Sequence, residues 1–586
     1  MSQNFKFDYI IVGAGSAGCT LARRLIDGSN ATVCLIEAGK KDQNPLIHIP
    51  FGVALLSRFT AINWNYNTQP QQHLNNRALF WPRGKVMGGS SSVNAMCYIR
   101  GDSQDYDEWA AEFALRPQTN QQVETTLDAD IPNQGQLVDN SPQASQHTIQ
   151  QDDVVSWSYA DVLPWFKHSE NNAQLGATFT SAYHGAAGPL GVTTLNHTDP
   201  LSQTFLAAAH TAGLPLNSDF NGPSRYGVGE YQATHSNGQR CSAARGYIEP
   251  VLQDPRLTVF TETTVLRVLC DHQTASGVLV HNKQGERELI ANKEVILSGG
   301  AINSPQLLML SGIGAKAELA EHDIPCILDL PGVGKNLQDH LDVIVQMKTK
   351  QPVGYALLPR VMPKFMKGAW DYFMHKRGLL SSNVAETGGF TFSRHGSATR
   401  PDLQFHFIPA ILLEHGRKTA FDYGFGLHVC HLYPKSRGTI RLASAEPLTA
   451  PLIDPNYLAE KEDLEALIDG VRWAIKIFSQ PEFAKYLALP LEPDNHHIDD
   501  AAIEAFIRAK AETVYHPVGT CKMGPKTDPF AVVDSDLCVH GIAGLRVVDA
   551  SVMPTVVGGN TNAPTIMIAE QAAQLILAKN NRTIEQ

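Results

Sequence analysis

Near the N-terminus a short apolar run, Tyr9 to Val12, ends on Gly13-Ala14-Gly15-Ser16-Ala17-Gly18, and a helix-compatible stretch, Cys19 to Leu25, follows. A second apolar run, Val33 to Ile36, completes a βαβ pattern. The GxGxxG spacing between strand and helix constrains this chain more than any other feature. The first glycine permits the tight turn, the second lets a pyrophosphate approach the backbone, and the third allows close helix packing. The helix N-terminus, opened by Ser16, then faces the anion. Glu37 closes the second strand 19 residues beyond Gly18, where a carboxylate accepts hydrogen bonds from ribose hydroxyls and disfavours a 2′-phosphate. An adenine dinucleotide is expected on a doubly wound α/β sheet. FAD and NAD both carry adenosine diphosphate, so the fingerprint leaves the two open.

The 586 residues amount to three or four domain equivalents, with 43% hydrophobic and 18% charged residues, an ordinary globular enzyme composition. Lys plus Arg number 47 against 58 Asp plus Glu, a net charge of −11 without any Lys/Arg block, which argues against nucleic acid or an anionic membrane surface as a partner. Nine cysteines are dispersed and never spaced as CxxC. That pattern fits reduced thiols in a cytoplasmic setting and no metal site. The N-terminus has no basic-then-apolar leader, no run of 18 apolar residues follows, and no amphipathic segment with a basic face reads as an anchor.

Further along, residues 116–153 are rich in Gln, Asn, Thr and Asp and are expected to form a polar surface insertion. Val259 to Leu269, Gly277 to His281 and Glu288 to Leu297 read as strands, and Pro305 to Leu310 as helix. Val343 to Ile453 mixes a strand-like run, Leu403 to Ile408, with a helical one, Lys364 to His375, the pattern of a separate domain around an antiparallel sheet. Gly544 to Asp549 reads as a last strand and Thr565 to Ala578 as a helical tail.

A second glycine-rich segment, RGKVMGGSSSVN from Arg83 to Asn94, places Gly84, Gly88 and Gly89 beside three hydroxyls, Ser90 to Ser92. Such a loop can present several donors to one planar ring, for which a nicotinamide enzyme has little need. With DYIIVGAGSAG at Asp8, SGGAINSPQLLMLSGIG at Ser298, NLQDH at Asn336 and YHPVGTCKMG at Tyr515, the chain resembles the glucose–methanol–choline (GMC) oxidoreductase family. The resemblance implies α/β plus α+β architecture: a doubly wound, Rossmann-like FAD domain from segments 1–110, 220–340 and 511–586, and a substrate domain from 154–219 and 341–510 whose antiparallel sheet covers the flavin. It further implies that Arg83, Gly84, Gly89, Ser90, Asn94, Thr561 and Asn562 join the first loop in holding FAD. Asp549 and Ala550 belong near the ribityl–phosphate chain and Val265 near the adenine. Several relatives join flavin covalently to a histidine at the position of Val93, so FAD is expected to be held here without a covalent bond. The runs NPLIHIPFGVALLS, NVAETGGF and LQFHFIP are most similar to bacterial alkane-pathway alkanol dehydrogenases, with choline dehydrogenases next.

By the same resemblance His516 is the catalytic base. Pro517 restricts its backbone, and a neutral imidazole suits removal of an alcohol proton while the hydride goes to flavin N5. Gly558 and Gly559 form a turn before Asn560, which can donate to the substrate oxygen but cannot act as a base. The following helix start would stabilise reduced flavin. Glu386 matches the position where choline-acting relatives set a carboxylate against the substrate ammonium; the alternative is a buried carboxylate satisfied by its neighbours. His406 faces the substrate pocket or, alternatively, the sheet core. The function implied is an FAD-dependent dehydrogenase oxidising a medium- or long-chain primary alcohol to the aldehyde. Electrons pass to a quinone-like acceptor during transient contact with the inner face of a membrane. Choline dehydrogenase, oxygen-dependent alcohol oxidase and a non-redox flavin lyase are the alternatives.

Overall fold

The N-terminal apolar run extends into strand β1 (Phe5–Val12), whose last four residues are buried, paired in parallel with β2 (Val33–Ile36), buried throughout. Strands covered on both faces read as unbroken apolar runs, which is why both were legible. The computed structural model describes residues 5–56, 59–114, 155–356, 358–414, 416–418, 420–486, 488–495 and 497–584. The expected polar insertion at 116–153 lies outside them. Helix α1 (Ser16–Gly28) joins β1 to β2 and buries Cys19, Leu21, Ala22, Leu25 and Ile26 against the sheet.

Strand β3 (Leu257–Phe260) extends this sheet beyond β2 in parallel. At its other edge β4 (Thr264–Asp271) and β5 (Thr274–Asn282) pair antiparallel, and β5 pairs with the first half of β6 (Gly285–Leu297). The end of β6 lies in parallel between β1 and the strand Leu545–Val547. The order is β3-β2-β1-β6-β5-β4. Helix α2 (Gly300–Leu310) follows β6, and α3 (Asn562–Ile584) ends the described chain against α1, where Gly28 leaves room for Leu577.

The run Val259 to Leu269, read as one strand, is two strands at opposite edges of the sheet. The break falls at Thr261-Glu262-Thr263, with Glu262 at φ 51°. There the Glu262 and Thr263 amides donate to the Gly39 and Glu37 carbonyls, carrying the chain across the C-terminal end of β2.

The second sheet is antiparallel. It contains β7 (Leu341–Thr349), β8 (Thr387–Thr391), β9 (Leu403–Ile408) and β10 (Tyr423–His431), in the order β7-β10-β9-β8. Gly227–Glu230 pairs with β8, so an edge strand of this sheet comes from a segment assigned by sequence to the nucleotide domain. Conversely, the helix Tyr159–Ser169, assigned to the substrate domain, sits on α3: His168 contacts Glu570, and Gln571 donates to the Ser156 carbonyl. Domain boundaries follow packing rather than chain order. Side chains on β9 alternate. Phe405 and Phe407 enter the apolar core, where Phe407 packs on Phe205 and Phe425, while His406 and Ile408 face the cavity below.

Candidate active site

The C-terminal ends of β1, β2 and β6 open into a cavity of about 920 Å³ roofed by the antiparallel sheet. Three helix starts line it: Gly15-Ser16 of α1, Gly300-Ala301 of α2, and Thr561-Asn562 of α3. None carries an acidic residue in its first turn, but the Asp549 carboxylate takes the first amide of α2, so the starts of α1 and α3 are the ones whose dipoles face the cavity without a carboxylate on them. Ser16 Oγ donates to Asn562 Oδ1 at 2.7 Å, tying two of the starts together. Asp549 accepts from the Gly300 amide at 2.8 Å and from Ser304 Oγ at 2.6 Å.

The three fingerprint glycines have separate causes. Gly13 has φ +102°, and a Cβ there would lie 2.5 Å from the Ser298 carbonyl oxygen. A Cβ at Gly18 would lie 1.9 Å from the Gly13 carbonyl oxygen. At Gly15 a Cβ would meet no atom within 4 Å. The protein itself therefore demands glycine at 13 and 18, while the space beside Gly15 opens into the cavity, as a close-approaching pyrophosphate requires. Gly89 lies against this loop, where its Cβ would come 2.8 Å from Gly15 Cα. Ser90 Oγ accepts from the Gly84 amide, and Asn94 Oδ1 accepts from Arg240. Glu37 marks the other end beside Val265, accepting from the Ala14 and Gly39 amides at 3.2 and 2.8 Å. Burial raises its carboxyl to about 7. This donor set fits an adenine dinucleotide.

Of the site residues expected from sequence, all but Gly18 and Glu386 line this cavity. Gly18 acts through packing, as above. The Glu386 carboxylate is 1% exposed and accepts from the Asp199 amide at 2.7 Å, Ser202 Oγ at 2.8 Å, Ser382 Oγ at 2.6 Å and the Tyr355 hydroxyl. It lies behind the wall that Tyr355, Val384 and Ala385 form. The expectation of a direct substrate contact is corrected: its charge is met by four donors of its own. His406 does line the cavity, and its ring packs on Tyr231 at 5.2 Å.

His516 stands at the end of a hydrogen-bonded chain. His340 Nε2 lies 2.9 Å from the Leu432 carbonyl oxygen, His340 Nδ1 lies 3.0 Å from His516 Nδ1, and His516 Nε2 lies 3.3 Å from Asn560 Nδ2. A carbonyl only accepts, so His340 carries its proton on Nε2 and offers a lone pair at Nδ1. His516 donates there from Nδ1, leaving its own Nε2 lone pair toward Asn560 and the cavity. Burial holds both rings neutral, with His340 pushed down to about 3 and His516 well below the usual imidazole range. His406 is lowered to about 4 by the same cause. Gln404 Nε2 donates to Asn560 Oδ1 at 3.3 Å and so turns the amide hydrogens toward His516.

The backbone under His516 is clamped. Asp339 Oδ1 accepts from the His516 amide at 2.7 Å, while Oδ2 accepts from the Thr513 and Tyr457 hydroxyls. Arg83 reaches the Tyr515 carbonyl at 2.6 Å. These contacts hold Tyr515 at φ 69°, a left-handed conformation costly for a bulky residue. Asp339, His340 and Gln404, which contact His516 and Asn560, were not singled out from the sequence. For Asp339 and His340 the available signal was NLQDH itself, a polar cluster directly before the apolar strand β7; Gln404 stands apart from it, in β9. At the far end the cavity is apolar, walled by Phe51, Ile408, Ile411 and Leu412, and Val93 packs beside it with Ile47 and Ile62. Among the described residues, the acidic side chains lining the cavity are Glu37, Asp422 and Asp549.

Helix starts aimed at a dinucleotide-sized cavity, joined to a neutral imidazole–amide pair, define a nucleotide-cofactor oxidoreductase. The chain belongs to the GMC oxidoreductase family, whose family models match residues 7–342 and 434–569. Alcohol dehydrogenase (acceptor) of Pseudomonas putida is 46% identical over 577 residues, spanning 98% of this chain and 96% of that protein. Mitochondrial choline dehydrogenase of Mus musculus is 42% identical over 584 residues, spanning 97% and 89%. Among solved structures, pyridoxine 4-oxidase from Mesorbium loti superposes with TM-score 0.79 at 28% identity, covering 97% of this chain and 98% of that one. A formate oxidase gives TM-score 0.84 at 25% identity, covering 99% and 100%.

Proposed function

We propose that this protein oxidises a primary aliphatic alcohol of medium or long chain to its aldehyde, with non-covalently held FAD, and passes the electrons to a quinone-like acceptor. Bound FAD supplies the hydride acceptor. Glu37 and Val265 would hold its adenosine end, and the starts of α1 and α3 its anionic portions. His516 Nε2 takes the hydroxyl proton, Asn560 Nδ2 holds the alcohol oxygen, and the apolar wall of Phe51, Ile408 and Leu412 takes the chain. Val93 offers no nucleophilic atom for attachment to the flavin.

The observation that carries this reading is the Leu432–His340–His516 relay, which fixes a base-competent tautomer at the cavity. The name of the Pseudomonas relative and its identity support an alcohol donor and an electron acceptor. Choline is the second reading, favoured by identity to the mouse choline dehydrogenase. The burial of Glu386 behind Tyr355 weighs against it, because a quaternary ammonium would meet no carboxylate there. Anaerobic mixing with octanol, then with choline, tests both. Octanol is expected to bleach the flavin absorption; bleaching by choline alone would reverse the assignment. His516→Ala is expected to retain FAD and slow bleaching by about 10² to 10⁴-fold. Near-normal reduction would remove His516 from the base role.

A further inference from the structure

Among the described residues, five of the thirteen exposed large apolar side chains fall on one helix, Met362–His375: Met362, Met366, Trp370, Phe373 and Met374. At 100° per residue they occupy a single arc of about 120°. Met366, Trp370 and Phe373 are 69%, 66% and 64% exposed. The opposite side of the same helix is occupied, since Gly368 and Tyr372 are buried and Phe365 packs edge-on against Phe51 at 5.6 Å. A helix apolar on both sides reads in sequence as a core element. The structure buries one side and leaves the other outward.

Charge around this stripe is opposite to that of the chain. Residues 360–377 contain five cations, Arg360, Lys364, Lys367, Lys376 and Arg377, and one carboxylate, Asp371, within a chain of net charge −11. Lys364 is engaged with Asp199 at 3.2 Å, while Arg360, Lys367 and Arg377 are exposed. Apolar and aromatic side chains on an exposed helix, edged by cations, match the headgroup–acyl boundary of an anionic bilayer. A second copy of this chain would bring the same cations face to face.

We infer that the helix Met362–His375 docks this protein on the surface of a bilayer containing anionic lipid, with the Met366–Trp370–Phe373 stripe entering the interface. This departs from two expectations drawn from the sequence, that such a surface is a poor partner and that no segment reads as an anchor: the relevant charge is local, and the apolar stripe is set outward only by the packing of the other side of the helix. The inner side of the helix reaches the active-site cavity through one aromatic layer, because Phe51 touches both Phe365 and the cavity-lining Tyr355 at 5.4 Å. Docking would therefore place the apolar end of the cavity near dissolved alcohol or quinone, a consequence that rests on the proposed function while the docking does not.

The test is co-sedimentation of FAD-loaded protein with vesicles of phosphatidylcholine alone or mixed equally with phosphatidylglycerol. Binding to the mixed vesicles is expected, weakened by salt. The double variant Met366→Glu, Trp370→Glu is expected to lose at least about tenfold in affinity, and Lys367→Glu or Arg377→Glu about fivefold each. Unchanged FAD content and melting temperature would show that the variants are folded. Failure of the wild-type protein to sediment with mixed vesicles, or equal sedimentation of the variants, would overturn the inference. So would concentration-dependent dimerisation abolished by Met366→Glu, which would assign the stripe to a second copy. Sedimentation needs no turnover, so a wrong substrate assignment leaves this result standing.

Discussion

At the scale of single residues, the site depends on where protons sit. His516 can accept a proton at Nε2 only while Nδ1 carries one, and His340 enforces this because its own Nε2 proton is committed to the Leu432 carbonyl. His340→Phe keeps an aromatic ring and removes the acceptor. Stopped-flow flavin reduction by octanol is expected to slow about tenfold or more with FAD content unchanged; a wild-type rate would mean that His516 holds its tautomer unaided. Glu37 carries a pH-dependent prediction. Burial raises its carboxyl to about 7, so the free protein is partly protonated at neutral pH. Ribose hydroxyls donate to the ionised form and lower that value on binding, which releases a proton. Affinity of the apoprotein for FAD is therefore expected to fall as pH drops below about 7 and to level off above it. Titration of Glu37→Gln should give a flatter dependence, and an identical slope in both proteins would exclude Glu37 as the source.

At the scale of elements, turns and strand faces decide which residues are structural and which serve the ligand. The glycines at 15 and 18 look equivalent in the fingerprint, yet one opens to the cavity and the other touches the Gly13 carbonyl. Gly18→Val is expected to lower thermal stability with or without FAD, by several kcal/mol, because backbone must move. Gly15→Val, at φ −81° and facing open space, is expected to leave apoprotein stability within about 1 kcal/mol and to weaken FAD binding at least tenfold. Thermal melts and FAD titration of the two variants separate these effects. The run from Val259 to Leu269 shows the limit of local reading. Its apolar residues announce strand, but nothing in eleven consecutive side chains says that the sheet will be crossed at Glu262.

At the scale of the whole molecule, the cavity is walled by segments hundreds of residues apart, from Val12 to Thr565. A cofactor that bridges them acts as a clamp on the assembled fold. Free FAD at about 100 times its dissociation constant is expected to stabilise the protein by about 2.7 kcal/mol. A melting temperature unaffected by added FAD would show that the cavity of the native fold does not bind it. The dinucleotide cradle was legible in the amino-acid order because a glycine turn, a helix start and a strand-end carboxylate interact over a few residues, where backbone geometry alone sets their placement. That His516 and Asn560 come together was expected from motif resemblance, and they meet at the cavity. The fate of Glu386 was not: its four donors come from Asp199, Ser202, Tyr355 and Ser382, and no local pattern states that they will converge. Nor was the relay legible, since His340 and His516 lie 176 residues apart. The same holds for the helix Met362–His375, whose two apolar sides become different only when one of them is packed. Spacing along the chain determines local conformation. Only tertiary packing decides which face is covered, and with it which polar atom keeps a lone pair and which apolar stripe is left to meet water or lipid.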